Sequence, residues 1–225
     1  MKQFLILLIL LTSCKENIHK SEDSIYPDFQ YPESKEISKD WKVLVSVWGE
    51  LNNDSIQDLV IIYESKHNLK QIRYSYDTVF LPARSIVVYV SENGSLKKIV
   101  QNNDFIARYN EGDLSLDSFH PKLILENKHL TVSYRYTRAE TSYTFGYVQD
   151  SLRIQYVKTC GFNMIANKYL CSDYDFTLYR AIVREGTYEK VRIKVDTIII
   201  QPRYQKPIND FKELYETRLA KEIRL

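Results

Sequence analysis

The chain of 225 residues has few of the residues on which common catalytic and cofactor motifs depend. It contains six glycines, and neither a G-x-G-x-x-G pattern nor a P-loop occurs, so nothing predicts a nucleotide-binding loop. The four histidines are scattered without the H-E-x-x-H spacing of zinc hydrolases. The G-x-S-x-G pattern of a nucleophile elbow does not occur either. The sequence therefore offers no recognisable catalytic set.

Neither sign of charge is in excess. Lys and Arg number 31 and Asp and Glu number 29, which gives a net charge of +2, and the two signs are interleaved along the chain. A nucleic-acid-binding surface requires a concentration of positive charge. We therefore expect no nucleic-acid partner.

The longest apolar run extends from Phe4 to Leu11 and is too short to span a bilayer, which takes about 20 apolar residues. Lys2 precedes the run, and the small residues Thr12 and Ser13 lead from it into Cys14. That order is typical of an export signal ending at a processing site. A buried N-terminal strand or helix is the alternative interpretation.

The end of this segment resembles the lipobox of bacterial lipoprotein signal peptides. The resemblance implies cleavage before Cys14, acylation of its thiol and a lipid-anchored location in the bacterial cell envelope. Lys15 and Glu16 favour the outer membrane over the inner one. The expected contact with the membrane is thus made through the lipid.

Three segments follow from this interpretation. Residues 1–13 are predicted to be the signal peptide and residues 14–40 a lipid-anchored flexible tether, because the latter are polar, aperiodic and interrupted by Pro27 and Pro32. Residues 41–225 are predicted to form a single β-rich domain.

Beyond Trp41 the dominant pattern is an alternation of apolar and polar residues in short runs, which is typical of strands. We predict a mainly β fold, with an antiparallel meander or a sandwich-like sheet. Asn93-Gly94 favours a tight hairpin turn, and Glu185-Gly186 a second one. In the run after Gln149-Asp150-Ser151 the alternation places Leu152, Ile154 and Tyr156 on one apolar face.

The C-terminal end has a different pattern. Asp210 and Glu213 have the spacing of a capping box, which predicts a short amphipathic α-helix packed on the sheet. The residues at helical spacing are Phe211, Leu214, Tyr215, Leu219 and Ile223.

With Cys14 assigned to lipid, Cys160 and Cys171 form the one remaining pair. Disulfides persist in exported proteins, so a Cys160–Cys171 bond is expected, with two unpaired buried thiols as the alternative. The spacing of the cysteines matches no zinc motif, and C-x-x-C does not occur.

The segment from Gly49 to Asp58 resembles the calcium loop of integrin-like FG-GAP repeats, whose pattern is D-x-[DN]-x-D-G-x-x-D between two strands. The resemblance implies a calcium site with side-chain oxygens from Glu50, Asn52, Asp54 and Asp58 and the carbonyl of Ile56. Glu50 replaces the usual Asp, and Ser55 stands in place of the Gly that allows the sharp bend. A polar strand connection without a metal is the alternative.

The whole chain resembles a loosely defined set of uncharacterised Gram-negative envelope lipoproteins, which implies no activity. We expect a non-catalytic binding or structural module with a protein or glycan partner; an envelope hydrolase and a periplasmic inhibitor or immunity-type protein are the alternatives. Four tyrosines are candidates for stacking on a partner or for cross-strand pairing: Tyr134, Tyr136, Tyr143 and Tyr147. Asp173 and Asp175 are interpreted as turn residues rather than as a glycosidase pair.

Overall fold

The computed structural model describes residues 25–29, 39–73, 77–108, 111, 120–187, 194–202, 205–212, 218–220 and 223–224. These residues form mainly antiparallel β-strands, so the mainly β part of the predicted fold class is confirmed. No helix within these ranges has the length and apolar character needed to cross a membrane.

The first sheet has four strands in the order of the sequence. They are β1 (Trp41–Gly49), β2 (Asp58–Arg73), β3 (Asp77–Glu92) and β4 (Ser95–Asn102). The predicted hairpin between β3 and β4 is confirmed, because Glu92 pairs with Ser95 and the turn consists of Asn93 and Gly94. Both turn residues have positive φ, 52° and 80°, as a tight hairpin turn requires.

The second sheet is a meander of seven strands, each paired with the next, which confirms the predicted meander. The strands are β5 (Lys122–Glu126), β6 (His129–Arg135), β7 (Ala139–Val148), β8 (Ser151–Asn163), β9 (Lys168–Asp175), β10 (Arg180–Thr187) and β11 (Lys194–Ile199). A separate pair is formed by β12 (Arg218–Ala220) and β13 (Ile223–Arg224).

The turn predicted at Glu185-Gly186 is wrong. Both residues lie inside β10, where Glu185 pairs with Leu170 and Lys194 and Gly186 pairs with Tyr169. Pairing with strands on both sides outweighs the local turn preference of the dipeptide. The connection between β10 and β11 lies at residues 188–193, outside the described residues.

The predicted C-terminal α-helix is also wrong. Ile208–Asp210 form a 3₁₀ turn, and Leu219 and Ile223 lie in strands. The side-chain amide of Asn102 donates hydrogen bonds to the carbonyls of Ile208 and Phe211, at 2.7 and 2.9 Å. Phe211, the first residue of the predicted helix, is instead extended, with φ of −80° and ψ of 129°, and its carbonyl accepts from β4 rather than from a helical amide. Glu213, Leu214 and Tyr215 lie outside the described residues.

The two sheets share one hydrophobic core, in keeping with the sandwich-like arrangement that the alternation predicts. The first sheet contributes residues such as Val60, Ile86 and Val100, and the second contributes residues such as Val132 and Phe145. Residues of β1 and β5 approach each other where the sheets meet. Gly49 is needed there, because a Cβ atom would lie 2.8 Å from Leu125 Cγ.

The opposite face of the first sheet is covered by the N-terminal segment. Phe29 stacks on Tyr63 with ring centroids 4.2 Å apart and meets Trp41 edge to face at 5.0 Å. Because both faces are covered, β2 is apolar without alternation from Leu59 to Tyr63. The segment predicted as a free tether thus includes residues 25–29, which pack on the sheet.

Candidate functional site

The loop from Gly49 to Asp58 joins β1 to β2, and its last residue, Asp58, is fully buried. Asp58 Oδ2 accepts a hydrogen bond from the Leu51 amide at 2.7 Å, and Oδ1 accepts one from the Ser91 amide at 2.9 Å. Burial raises the pKa of Asp58, although these backbone hydrogen bonds oppose the increase. This carboxylate ties the loop to the strand β3.

The other predicted ligands are exposed or half-buried and bond mainly within the loop. Asp54 accepts hydrogen bonds from Asn52 Nδ2 at 2.9 Å and from the Ile56 amide at 2.8 Å, and Glu50 Oε1 accepts one from the Ser55 amide at 3.3 Å. Ser55 has φ of 64°, the left-handed conformation for which the FG-GAP pattern uses glycine.

The fit of this loop to calcium is partial. No group of three or more His, Cys, Asp or Glu in the described ranges is arranged to hold a metal ion. Asp58 has both oxygens bonded to backbone amides. Asn52 Oδ1, by contrast, is a buried oxygen without a hydrogen-bond partner, which suits a ligand position. The arrangement already explains the polar residues as a hydrogen-bonded strand connection.

A second feature, not predicted from the sequence, is a set of three fully buried arginines, Arg73, Arg84 and Arg108, called here the buried arginine cluster. Arg73 donates two hydrogen bonds to Glu111, both 2.7 Å long, and a third to the carbonyl of Asp104 at 3.0 Å. Burial alone would raise the pKa of Glu111, but Arg73 and Arg108 together outweigh it and hold the pKa below its ordinary value of 4.5.

Arg84 and Arg108 fix the segment that follows β4 in a similar way. Arg84 binds Glu64 with Nη2 to Oε2 at 2.6 Å and donates to the carbonyl of Ala107 at 2.7 Å. Arg108 donates to Gln71 Oε1 and to the Tyr26 hydroxyl, both at 2.7 Å. The cluster is fully hydrogen-bonded by its own chain and is best explained as structural.

Two of the four tyrosines proposed for stacking belong to the core. Tyr134 and Tyr143 are 1% and 2% exposed, and burial raises the pKa of Tyr134. Tyr136 and Tyr147 are partly buried against the same core. Neither buried ring is available to a partner.

A cavity of about 360 Å³ lies on the face of the seven-stranded sheet that points away from the core, called here the outer-face cavity. Its lining includes Tyr156 and Lys158 on β8, Asp173 on β9, and Arg180 and Ile182 on β10. Its volume falls within the range of about 300 to 1,000 Å³ typical of small-molecule sites.

Tyr156 lines this cavity because of a β-bulge. Thr144 pairs with Tyr156 but Phe145 pairs with Ile154, so Gln155 has no partner on β7. The extra residue reverses the sheet face on which the following side chains lie. Leu152 and Ile154 are therefore buried, whereas Tyr156 is 40% exposed. The prediction that Tyr156 shares their apolar face is therefore wrong.

The bulge also provides support for the tyrosine ring. His129 Nε2 and Gln155 Oε1 are hydrogen-bonded at 2.8 Å, and the His129 ring contacts Tyr156 at a centroid distance of 6.3 Å. Gly146 makes room for the Gln155 amide, because a Cβ at that position would lie 1.9 Å from Gln155 Nε2.

The charged groups of the outer-face cavity differ in their bonding. Asp173 forms an ion pair with Arg184, and Asp175 Oδ1 caps the β9–β10 turn by accepting hydrogen bonds from Thr177 and Leu178. Within the described ranges, Lys158 and Arg180 make no side-chain hydrogen bond or ion pair. The acidic groups are thus engaged and two cations are available.

Cys160 on β8 and Cys171 on β9 face each other in the register, and the structure joins them by a disulfide bond. The bond lies two residue pairs along the ladder from the Lys158–Asp173 pair that lines the cavity. Cys14 lies outside the described residues.

No protein-family model matches this chain, and a search of curated proteins finds no significant similarity.

Proposed function

We propose that this protein is a lipid-anchored, non-catalytic binding module of the bacterial cell envelope and that it binds its partner with the outer face of the seven-stranded sheet. The observation that carries the proposal is the outer-face cavity, in which Tyr156 is exposed and Lys158 and Arg180 have no partner in the described ranges. An exposed aromatic ring beside available donors is a typical binding surface.

The location in the envelope is supported by the N-terminal sequence that ends at Cys14. Tyr26 and Phe29 pack on the first sheet, and ten residues, 15–24, separate this packed segment from Cys14. Even a fully extended chain of ten residues spans no more than about 36 Å. The domain would therefore stay close to the bilayer to which the lipid is attached.

For the cofactor, we propose weak calcium binding in the loop from Gly49 to Asp58. The supporting observation is the unpartnered Asn52 Oδ1. Glu50, Asp54 and the Ile56 carbonyl would supply the other ligand oxygens, with calcium replacing the hydrogen bonds that Glu50 and Asp54 accept within the loop. Asp58 would keep its hydrogen bonds to the backbone amides. Calorimetric titration with calcium should detect binding that Asp54→Asn abolishes; the same heat from wild type and Asp54→Asn would reject the site.

The binding function can be tested with the protein purified from membranes in detergent and immobilised on a resin. We expect it to retain saccharide material from solubilised envelope fractions, and Tyr156→Ala to abolish retention. Phe80→Ala is the matched control, because Phe80 is an exposed aromatic residue of the other sheet. Equal retention by wild type and Tyr156→Ala, or none by wild type, would overturn the proposal.

A further inference from the structure

We infer that the outer-face cavity binds an anionic saccharide, whose ring packs on Tyr156 and whose carboxylate or phosphate lies between Lys158 and Arg180. The inference rests on the proposed binding function and names the class of ligand. It follows from the register of the strands, the distribution of charge and the position of the tyrosine ring.

The register brings the two cations within reach of one ligand group. Lys158 pairs with Asp173 on β9, which pairs with Ile182 on β10, and Arg180 lies two residues from Ile182 on the same face. Two strand spacings and two residue rises place the Cα atoms of Lys158 and Arg180 about 12 Å apart. Both side chains are long enough to converge on an anion between them.

The charge distribution favours an anion over a cation. Asp173 is paired with Arg184, whereas Asp175 keeps its charge while its Oδ1 accepts from the amides and hydroxyl of the turn, so two unpaired cations stand against one unpaired carboxylate in the lining. Lys158 and Arg180 keep their donors available within the described part of the chain. A guanidinium and an ammonium together are the usual protein groups for binding carboxylate or phosphate.

Tyr156 indicates that the uncharged part of the ligand is a sugar ring. Its ring is 40% exposed and is held in place by His129, so it offers a flat apolar surface with a hydroxyl that has no partner in the described ranges. A tyrosine of this kind packs on the C–H face of a sugar ring and bonds to its hydroxyl groups. A simple inorganic anion would leave this surface unused.

The test uses three probes that share a hexose ring: glucuronic acid, glucose 6-phosphate and glucose. Each is titrated at low ionic strength into wild type and into Lys158→Gln, Arg180→Gln and Tyr156→Ala, with binding measured by calorimetry. Lys168→Gln is the control, since Lys168 is an exposed cation at the start of β9 that does not line the cavity. Thermal unfolding of each variant checks that the fold is retained.

We expect at least one acidic probe to bind more tightly than glucose, and each cation substitution to weaken it about tenfold. Lys168→Gln should leave the affinity unchanged, and added salt should weaken binding. The stronger of the two acidic probes identifies carboxylate or phosphate as the preferred group.

Equal affinity for glucose and the acidic probes, abolished by Tyr156→Ala, would overturn the anionic class and leave the binding function standing. The anionic class would also be overturned, with the binding function left standing, if none of the three probes binds while immobilised wild type still retains saccharide from envelope fractions. Acidic probes that bind with unchanged affinity to Lys158→Gln and Arg180→Gln would place the anion elsewhere and refute the inference.

Discussion

Replacing Arg73 by Met tests whether the buried arginine cluster holds the first sheet to the segment after β4. The substitution removes the two 2.7 Å hydrogen bonds to Glu111 and the one to the Asp104 carbonyl. Within the described residues, Glu111 is then left with the Arg108 amide, at 2.7 Å, as its hydrogen-bond donor. It is a buried carboxylate that has lost its directly paired counter-charge.

The expected cost follows from that geometry. Removing one partner of a buried ion pair costs about 3 to 5 kcal/mol, because the other charge stays desolvated. For a domain of this size, this corresponds to a fall of about 6 to 20 °C in the unfolding midpoint. Arg84→Met should cost less, because Glu64 keeps Lys42 at 2.9 Å.

The pH dependence supplies an independent check. In the wild type the pKa of Glu111 is held below 4.5, so its stabilising contribution is complete above that pH and is lost as the pH falls through the lower folded-state pKa. In Arg73→Met the effect of burial on Glu111 is opposed only by Arg108, so the pKa of Glu111 rises. Its carboxylate then destabilises the fold at neutral pH, and this cost disappears when the group is protonated in acid. The difference between the two proteins should therefore shrink as the pH falls.

The assay is urea unfolding of both proteins at pH 7 and at several values down to pH 4, followed by tryptophan fluorescence. The double variant Arg73→Met, Glu111→Gln is the control and should recover part of the loss, because neither charge of this ion pair remains buried without its partner. A cost below about 1 kcal/mol at pH 7, or a cost that does not change with pH, would refute the role assigned to this pair.

Three other substitutions test the loop and the junction of the sheets by thermal unfolding. Ser55→Gly should stabilise the protein by about 0.5 to 1 kcal/mol, since it relieves a left-handed φ; a loss of stability would contradict the loop geometry. Asp58→Asn should destabilise by about 1 to 3 kcal/mol, since an amide cannot accept from both the loop and the Ser91 amide, and an unchanged midpoint would show that the carboxylate is not needed. Gly49→Ala should cost about 1 to 3 kcal/mol through the clash with Leu125, and free accommodation of the methyl group would mean that the sheets are packed more loosely.

Features set by neighbouring residues could be predicted from the sequence. The Asn93-Gly94 turn and the alternating strands of the meander depend on local conformational preference and a period of two, so both are visible in the sequence. The C-terminal helix prediction failed at its first residue: Phe211 is extended, and its carbonyl accepts a hydrogen bond from the Asn102 amide, more than 100 residues away.

The candidate site was less accessible to prediction, for two physical reasons. One unpaired residue, Gln155, reverses the face of Tyr156, and a bulge of this kind leaves the alternation of residue types unchanged. The cavity is assembled from separate strands through the register, which periodicity does not specify. Arg73 likewise gives no local sign of burial, because its partner Glu111 lies 38 residues away.

Attachment of the proposed binding module to the envelope through Cys14 can be measured by the intact mass of the native protein purified from membranes. We expect a chain that begins at Cys14 and carries a covalent lipid. A mass that includes Met1, or an unmodified Cys14 on a protein found in the soluble fraction, would contradict it.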